Sequence, residues 1–391
     1  MTRLQTRAPT TAYNGQDAAA ITGFDTVIRF NPNNTSIYMW RGIIKNELGQ
    51  HDAAIVDLNT AIRLQPDLAF AYNYRGNAKG RLGQYDAAIA DFNTAIQLNP
   101  DYAIAYNNRG NTKELLGQHD AAIADLDIAL QLNPNFVLAH FNRGLAKVEL
   151  GLYKDAIADF DTAIRLEPGF AFAYGYRGSV QVELGQHSAA IVDLDTAIQL
   201  NPDYAMAYSD RGAAKQGLGL YKDAIVDLDT AIRLEPNYAL AYYNRGVTKA
   251  SLGQYPAAIA DYNIAIQLEP DVAIAYVNRG DAKCNLGQHT FAIADYDTAI
   301  RLNPDYTITY VNRGLAKANL GQHAAAIADY DTAIRLKPNY IIAYYNRGLA
   351  KYNLNRTKEA KQDFQAALKL VEQTGDERLK TQIESAIRDL H

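Results

Sequence analysis

One cysteine, Cys284, stands among 391 residues. No intramolecular disulfide can form and no Cys/His metal cluster can be built around it, and a lone thiol suits a reducing compartment, the cytoplasm. No stretch approaches the roughly eighteen consecutive apolar residues of a membrane-spanning helix, and Met1 to Asn14 has no apolar run of the secretory kind. Neither sign of charge dominates: 38 Lys and Arg against 43 Asp and Glu give a net charge of -5, so no general attraction to nucleic acid is expected. Phosphate-loop, dinucleotide-loop and HExxH patterns are absent. The expectation is a soluble protein with no membrane contact, no metal, no cofactor and no catalytic role.

What is present is a period. Ten of the twelve prolines fall every 34 residues, from Pro32 to Pro338, and an Arg-Gly pair recurs in the same register from Arg41 to Arg347 without an insertion. Such a repeat marks stacked supersecondary units, each too small to bury its own apolar face, that share a core with their neighbours. The unit Ala103 to Phe136 reads AIAYNNRGNTKELLGQHDAAIADLDIALQLNPNF. Its spacing predicts one helix from about Ile104 to Leu116, stopped by Gly117 in a left-handed conformation. A second helix is predicted from about Asp120 to Leu132, ending before Asn133-Pro134. Gly110 and Ala122 are small enough to let the two helices close on each other.

Tyr, Gly, Gly, Tyr or His, Ala, Leu/Phe/Tyr, Ala and Pro in this order resemble the tetratricopeptide repeat, over Gln16 to about Thr374. The RNA-reading pentatricopeptide relatives have a 35-residue period that this register does not fit. The resemblance implies an all-α fold, a right-handed α-α superhelix or solenoid of ten tandem 34-residue helix-turn-helix repeats, with first helices lining a concave groove that takes peptide segments. Residues 1–15 are expected to be a tail, 16–34 a half repeat, 35–374 the ten units and 375–391 a capping helix. The start in mid-repeat fits a fragment, an engineered boundary or a degenerate cap. In the cap, Leu379, Ile383, Ala386, Ile387 and Leu390 share one helical face.

Where most tetratricopeptide repeats have an apolar residue before the first Gly, all ten units have Arg, and sixteen residues later comes Asp. Across an antiparallel hairpin closed at Gly110 and Ala122, Arg109 lies level with Asp125. Structural ion pairs are therefore expected at Arg109–Asp125, Arg245–Asp261, Arg279–Asp295 and their equivalents, bidentate where geometry allows. The alternative is two solvated residues inherited by duplication.

The residue before the Arg is Asn108, Asn142, Asn244, Asn278, Asn312 and Asn346 in six units. A carboxamide can donate to one backbone carbonyl and accept from one N–H, so these asparagines are the candidate peptide-binding groove. The row is similar to the asparagine ladder in the helical-repeat region of O-linked N-acetylglucosamine transferase; the alternative is that the amides bond locally or face water. Apolar residues four positions earlier, such as Phe70, Ile104, Leu138, Leu240 and Ile342, are expected to pack between repeats rather than line pockets. The Tyr three before each Arg is expected in the core, and the Lys four after it as a stem over Tyr or His. His51, His119, His187, His289 and His323 alternate with Tyr at one position, an aromatic packing role without chemistry.

The carboxylate clamp of some relatives is not expected. Asn77 with Asn108 and Asn111 with Asn142 match its asparagine pair, but Asn73, Leu138 and Asn142 stand where the first pair needs cations. The expected function is a scaffold for a protein or peptide partner. The alternative is a structural module, self-associating through exposed array ends, or a regulatory part of a larger protein.

Overall fold

The computed structural model describes residues 14–390, and among them every element is a helix. The expected tail lies outside the described residues except for its last two positions, which open the helix Asn14–Phe30. From Thr35 onward the helices alternate, thirteen residues and then fourteen, with a final second helix of fifteen residues, Thr357–Val371. Helix Glu377–Arg388 follows. The chain divides into two compact units between Val180 and Gln181.

Each boundary has a local cause. After the first helix Ala103–Leu115, Gly117 takes φ 74°. Its N–H donates to Glu114 O at 2.9 Å, and Gln118 N–H donates to Lys113 O at 2.9 Å. That pair of bonds is a Schellman closure, which a side chain at Gly117 would strain. Asn355 replaces Gly in the last repeat at φ 59° and closes the helix the same way, Arg356 N–H donating to Lys351 O at 2.9 Å. The second helix His119–Leu132 stops at Asn133, held extended at φ -138° by the proline that follows.

Within a hairpin the contact is as tight as the sequence implies. A Cβ on Gly110 would lie 2.9 Å from Leu126 Cγ and 3.1 Å from the Ala122 carbonyl oxygen. Ala122, Leu126 and Ala129 are fully buried. In both units the first helices of neighbouring repeats also touch one another, for example those carrying Arg75, Arg109 and Arg143, or Arg245, Arg279 and Arg313. Contact of that extent between second helices is not found among the described residues. First helices therefore form the crowded inner side of each unit, and second helices the outer. At the C-terminal end Ile383 is fully buried against Phe364 and Val371, with Leu379, Ala386, Ile387 and Leu390 packed around it. That covers the apolar face the last repeat would otherwise leave open.

Candidate functional site

The recurrent arginine is the centre of a clamp. Arg245 Nε donates to Asp261 Oδ2 at 3.0 Å and Nη2 to Oδ1 at 2.6 Å, while Lys249 Nζ lies 2.7 Å from Oδ2. The remaining Nη1 donates backwards, to Asp229 of the preceding repeat at 2.6 Å. Tyr242 lies against the guanidinium, 5.5 Å from its carbon to the ring centroid. The same bonds join Arg109 to Asp125 and Arg279 to Asp295, with Asn93 and Asn263 as the backward acceptors. Arg109, Arg245 and Arg279 thus each bond both the residue sixteen after them and the one sixteen before, locking a hairpin internally and to its predecessor.

One expectation is corrected here and one is refined. The Lys ammonium is a second cation on the buried Asp. The Tyr three before the Arg packs against the core, as Tyr72, Tyr106 and Tyr276 do, but is half-buried, with its face turned to the guanidinium, and in several repeats its hydroxyl donates to a proline carbonyl, as Tyr276 does to Pro270 at 3.1 Å.

The electrostatics follow. Burial works against the charge on Arg245, but Asp261 and Asp229 outweigh it and hold the group above the ordinary guanidinium range. Burial likewise pushes Asp159 up, yet bonds from Arg143 and Lys147 prevail and hold its carboxyl below the ordinary value of 3.8. A folded-state pKa below the unfolded one gives stability that is present above the unfolded pKa and lost as pH falls through the folded one. The stability that Asp159 contributes is therefore expected to hold from pH 7 to about pH 5 and to be lost below about pH 4, lowering the thermal midpoint of the wild type more than that of Asp159→Asn. Melting curves of both proteins across that range check it, and an equal fall in the two down to about pH 3 would contradict it.

The asparagines before the Arg sit on the inner side, half-buried except Asn346, which is buried. Five spend an amide N–H on the first helix of the preceding repeat. Asn108 donates to Asn73 at 3.0 Å and Asn142 to Asn107 at 3.0 Å. Asn244 donates to Ser209 at 3.4 Å, Asn278 to Tyr243 at 2.9 Å and Asn312 to Asp281 at 2.9 Å. Asp281 also accepts from Tyr296 at 2.6 Å, and burial pushes its carboxyl up. The row is in large part a seam between first helices.

The apolar row divides. Phe70, Ile104, Leu138, Leu240 and Ile342 are 40–48% exposed, although the Phe70 ring lies 4.9 Å from that of Tyr102, whereas Phe172, Met206, Ile274 and Ile308 are half-buried, and Phe172 and Ile274 pack against the core as expected. The Ala one residue after each exposed side chain, as at Ala139 or Ala241, is fully buried. The histidines stand at the first position of second helices, with the His187 ring under Gly217 of the next repeat. A group able to hold a metal ion is not found among the described residues, nor a helix long and apolar enough to cross a membrane.

A family model described as TPR repeat matches residues 44–83, 81–117, 178–219, 217–253, 280–321 and 316–355. Two described as tetratricopeptide repeat match 103–136 and 239–272, and 137–170 and 341–373. Among solved structures, the chain is similar to a tetratricopeptide repeat protein from Parabacteroides merdae, with a TM-score of 0.52 at 19% identity, covering 63% of this chain and 98% of that one. It is also similar to the Cut9-Hcn1 hetero-tetramer of the APC/C, at TM-score 0.50 and 15% identity over 96% of this chain and 87% of that one. YrrB, titled a TPR protein with an unusual peptide-binding site, gives TM-score 0.38 at 29% identity over 47% of this chain and 95% of that one. No curated protein matches.

Proposed function

This chain belongs to the tetratricopeptide repeat family, and from that premise we propose that it is a non-catalytic scaffold whose first-helix faces hold an extended peptide or protein segment. The observation that carries the reading is the exposed apolar row. Large side chains are left open at the same place in the three successive repeats of Phe70, Ile104 and Leu138 and again at Leu240 and Ile342, and exposed apolar surface of that kind marks an interaction site. The asparagines beside it keep carbonyl oxygens that can accept from a peptide N–H. The clamp's polar groups are repeated along the array, whereas a catalytic centre needs unlike groups converging at one place. The net charge of -5 favours a protein partner over nucleic acid, and the single thiol a reducing, cytoplasmic setting.

Peptides selected from an unbiased display library supply the test. Leu240→Asp with Ile342→Asp is expected to weaken the selected peptides tenfold or more, while the thermal midpoint stays within a degree or two of wild type because both side chains are exposed. Unchanged affinity would reject the inner face as the binding site. Asn278→Ala and Asn312→Ala are expected to lower the midpoint as well as affinity, since each breaks a bond between first helices.

A further inference from the structure

A second asparagine row lies on the same helix faces. Asn285, Asn319 and Asn353 follow Asn278, Asn312 and Asn346 by seven residues, two helical turns or about 10 Å along the axis. The two rows differ in exposure. Asn285, Asn319 and Asn353 are all exposed, whereas Asn278 and Asn312 are half-buried and Asn346 is buried. Asn285 gives one N–H to the Asp281 carbonyl of its own helix at 2.9 Å and keeps the other. Asn319 and Asn353 make no side-chain hydrogen bond among the described residues. The outer row therefore presents donors in the open, one set in each of these three repeats, where Asn278 and Asn312 each give an N–H to the seam between first helices.

The surroundings narrow what could use those donors. On each of the three helices the residue four earlier shares the face: Leu315 and Leu349 are apolar, and Asp281 already accepts from Tyr296 and Asn312. No cation stands at these positions or at the inner asparagines and apolar row of the Arg279, Arg313 and Arg347 repeats. An acidic segment would find no counter-charge and would meet Asp281. The complementary partner is uncharged, apolar and rich in acceptors.

Spacing selects its conformation. Touching helices lie about 8–10 Å apart, so the donors recur at about that interval. A polyproline II helix repeats its faces every three residues, about 9 Å, with no internal hydrogen bonds and its carbonyls open. A β-strand repeats a face every two residues, about 7 Å, and would drift from the donors by about 5 Å over the two steps from Asn285 to Asn353. We propose that Asn285, Asn319 and Asn353 form the donor track for a proline-rich segment in polyproline II conformation, one turn per repeat, its rings resting on the exposed Leu315. Proline has no N–H to leave unpaired and little conformational freedom to lose on binding. The inference rests on the inner-face reading above and names its partner.

The test uses the full chain and two labelled dodecapeptides read by fluorescence anisotropy, one of Pro-Pro-Ala triplets and one of Gly-Ser-Ala triplets. The proline peptide is expected to bind at least tenfold more tightly. Asn285→Ala, Asn319→Ala and Asn353→Ala combined should remove that advantage with no fall in thermal midpoint, since exposed Ala suits a helix at least as well as Asn. Equal binding of the two peptides, or a proline peptide indifferent to the triple substitution, overturns the proposal. If library-selected peptides still bind and still depend on Leu240 and Ile342, the inner-face reading survives that failure; if they do not, both fall.

Discussion

Asp261→Ala is expected to destabilise the protein by about 3–5 kcal/mol, the cost of leaving buried cations without their acceptor. The aspartate is 3% exposed, and its removal takes the acceptor from Lys249 and leaves Arg245 with Asp229 alone, at a site most of the way out of water. Arg245→Leu is expected to cost less, because Lys249 still meets the carboxylate, but it also frees Asp229 and uncouples the preceding repeat. The double substitution Arg245→Leu with Asp261→Leu is expected to fall well short of the sum of Arg245→Leu and Asp261→Leu, since apolar residues of similar volume are often tolerated where a buried pair was. Urea denaturation of the four proteins measures the coupling. Strict additivity would contradict a clamp. In a nearest-neighbour array the loss also falls on the altered repeat and those beside it, so amide exchange should quicken there first.

Gly314→Ala is expected to cost about 1–3 kcal/mol by overpacking, set against up to about 1 kcal/mol of improved helix propensity. The new Cβ would lie 2.6 Å from Tyr330 Cε1 and 2.9 Å from Cζ. Tyr330 is 1% exposed, so its ring has nowhere to swing. Gly169→Ala is the control, because a Cβ there meets nothing within 4 Å and the backbone is not left-handed. The cost of Tyr330→Val combined with Gly314→Ala is expected to fall short of the sum of the two single costs, since the new Cβ then meets no ring. Equal thermal midpoints for Gly314→Ala and Gly169→Ala would show that the hairpin is less tightly closed than described.

Local boundaries and the forward half of the clamp were legible in the sequence because both depend on contacts inside one hairpin. Gly117 and Pro134 each dictate backbone geometry by themselves, and Arg109 with Asp125 follows once Gly110 meets Ala122. The backward bond to Asn93 escaped because it crosses between repeats at the same sixteen-residue separation, so nothing in the pattern sets the two directions apart. Lys113 was visible at a constant distance from Asp125, twelve residues, yet its competition with a solvated position is decided only by burial of the carboxylate. The exposure of Phe70, Ile104, Leu138, Leu240 and Ile342, set against the packed Phe172 and Ile274 of the same row, escaped for the opposite reason. Apolar periodicity says that a face is buried against something, and cannot distinguish a neighbouring repeat from a partner. The asparagines Asn285, Asn319 and Asn353 were equally visible as a row; only their exposure beside the spent donors of Asn278 and Asn312 gives them meaning.

The central claim is that first-helix faces are the binding surface and the clamps behind them only hold the array in register. Photo-crosslinking tests it most directly, with a library-selected peptide carrying a photoreactive residue and adducts mapped by mass spectrometry. Adducts are expected on the first helices, at Leu240, Asn285, Leu315, Asn319 or Ile342 and their neighbours. Adducts on second helices, such as around Val226 or Phe291 on the outer side, would contradict the account.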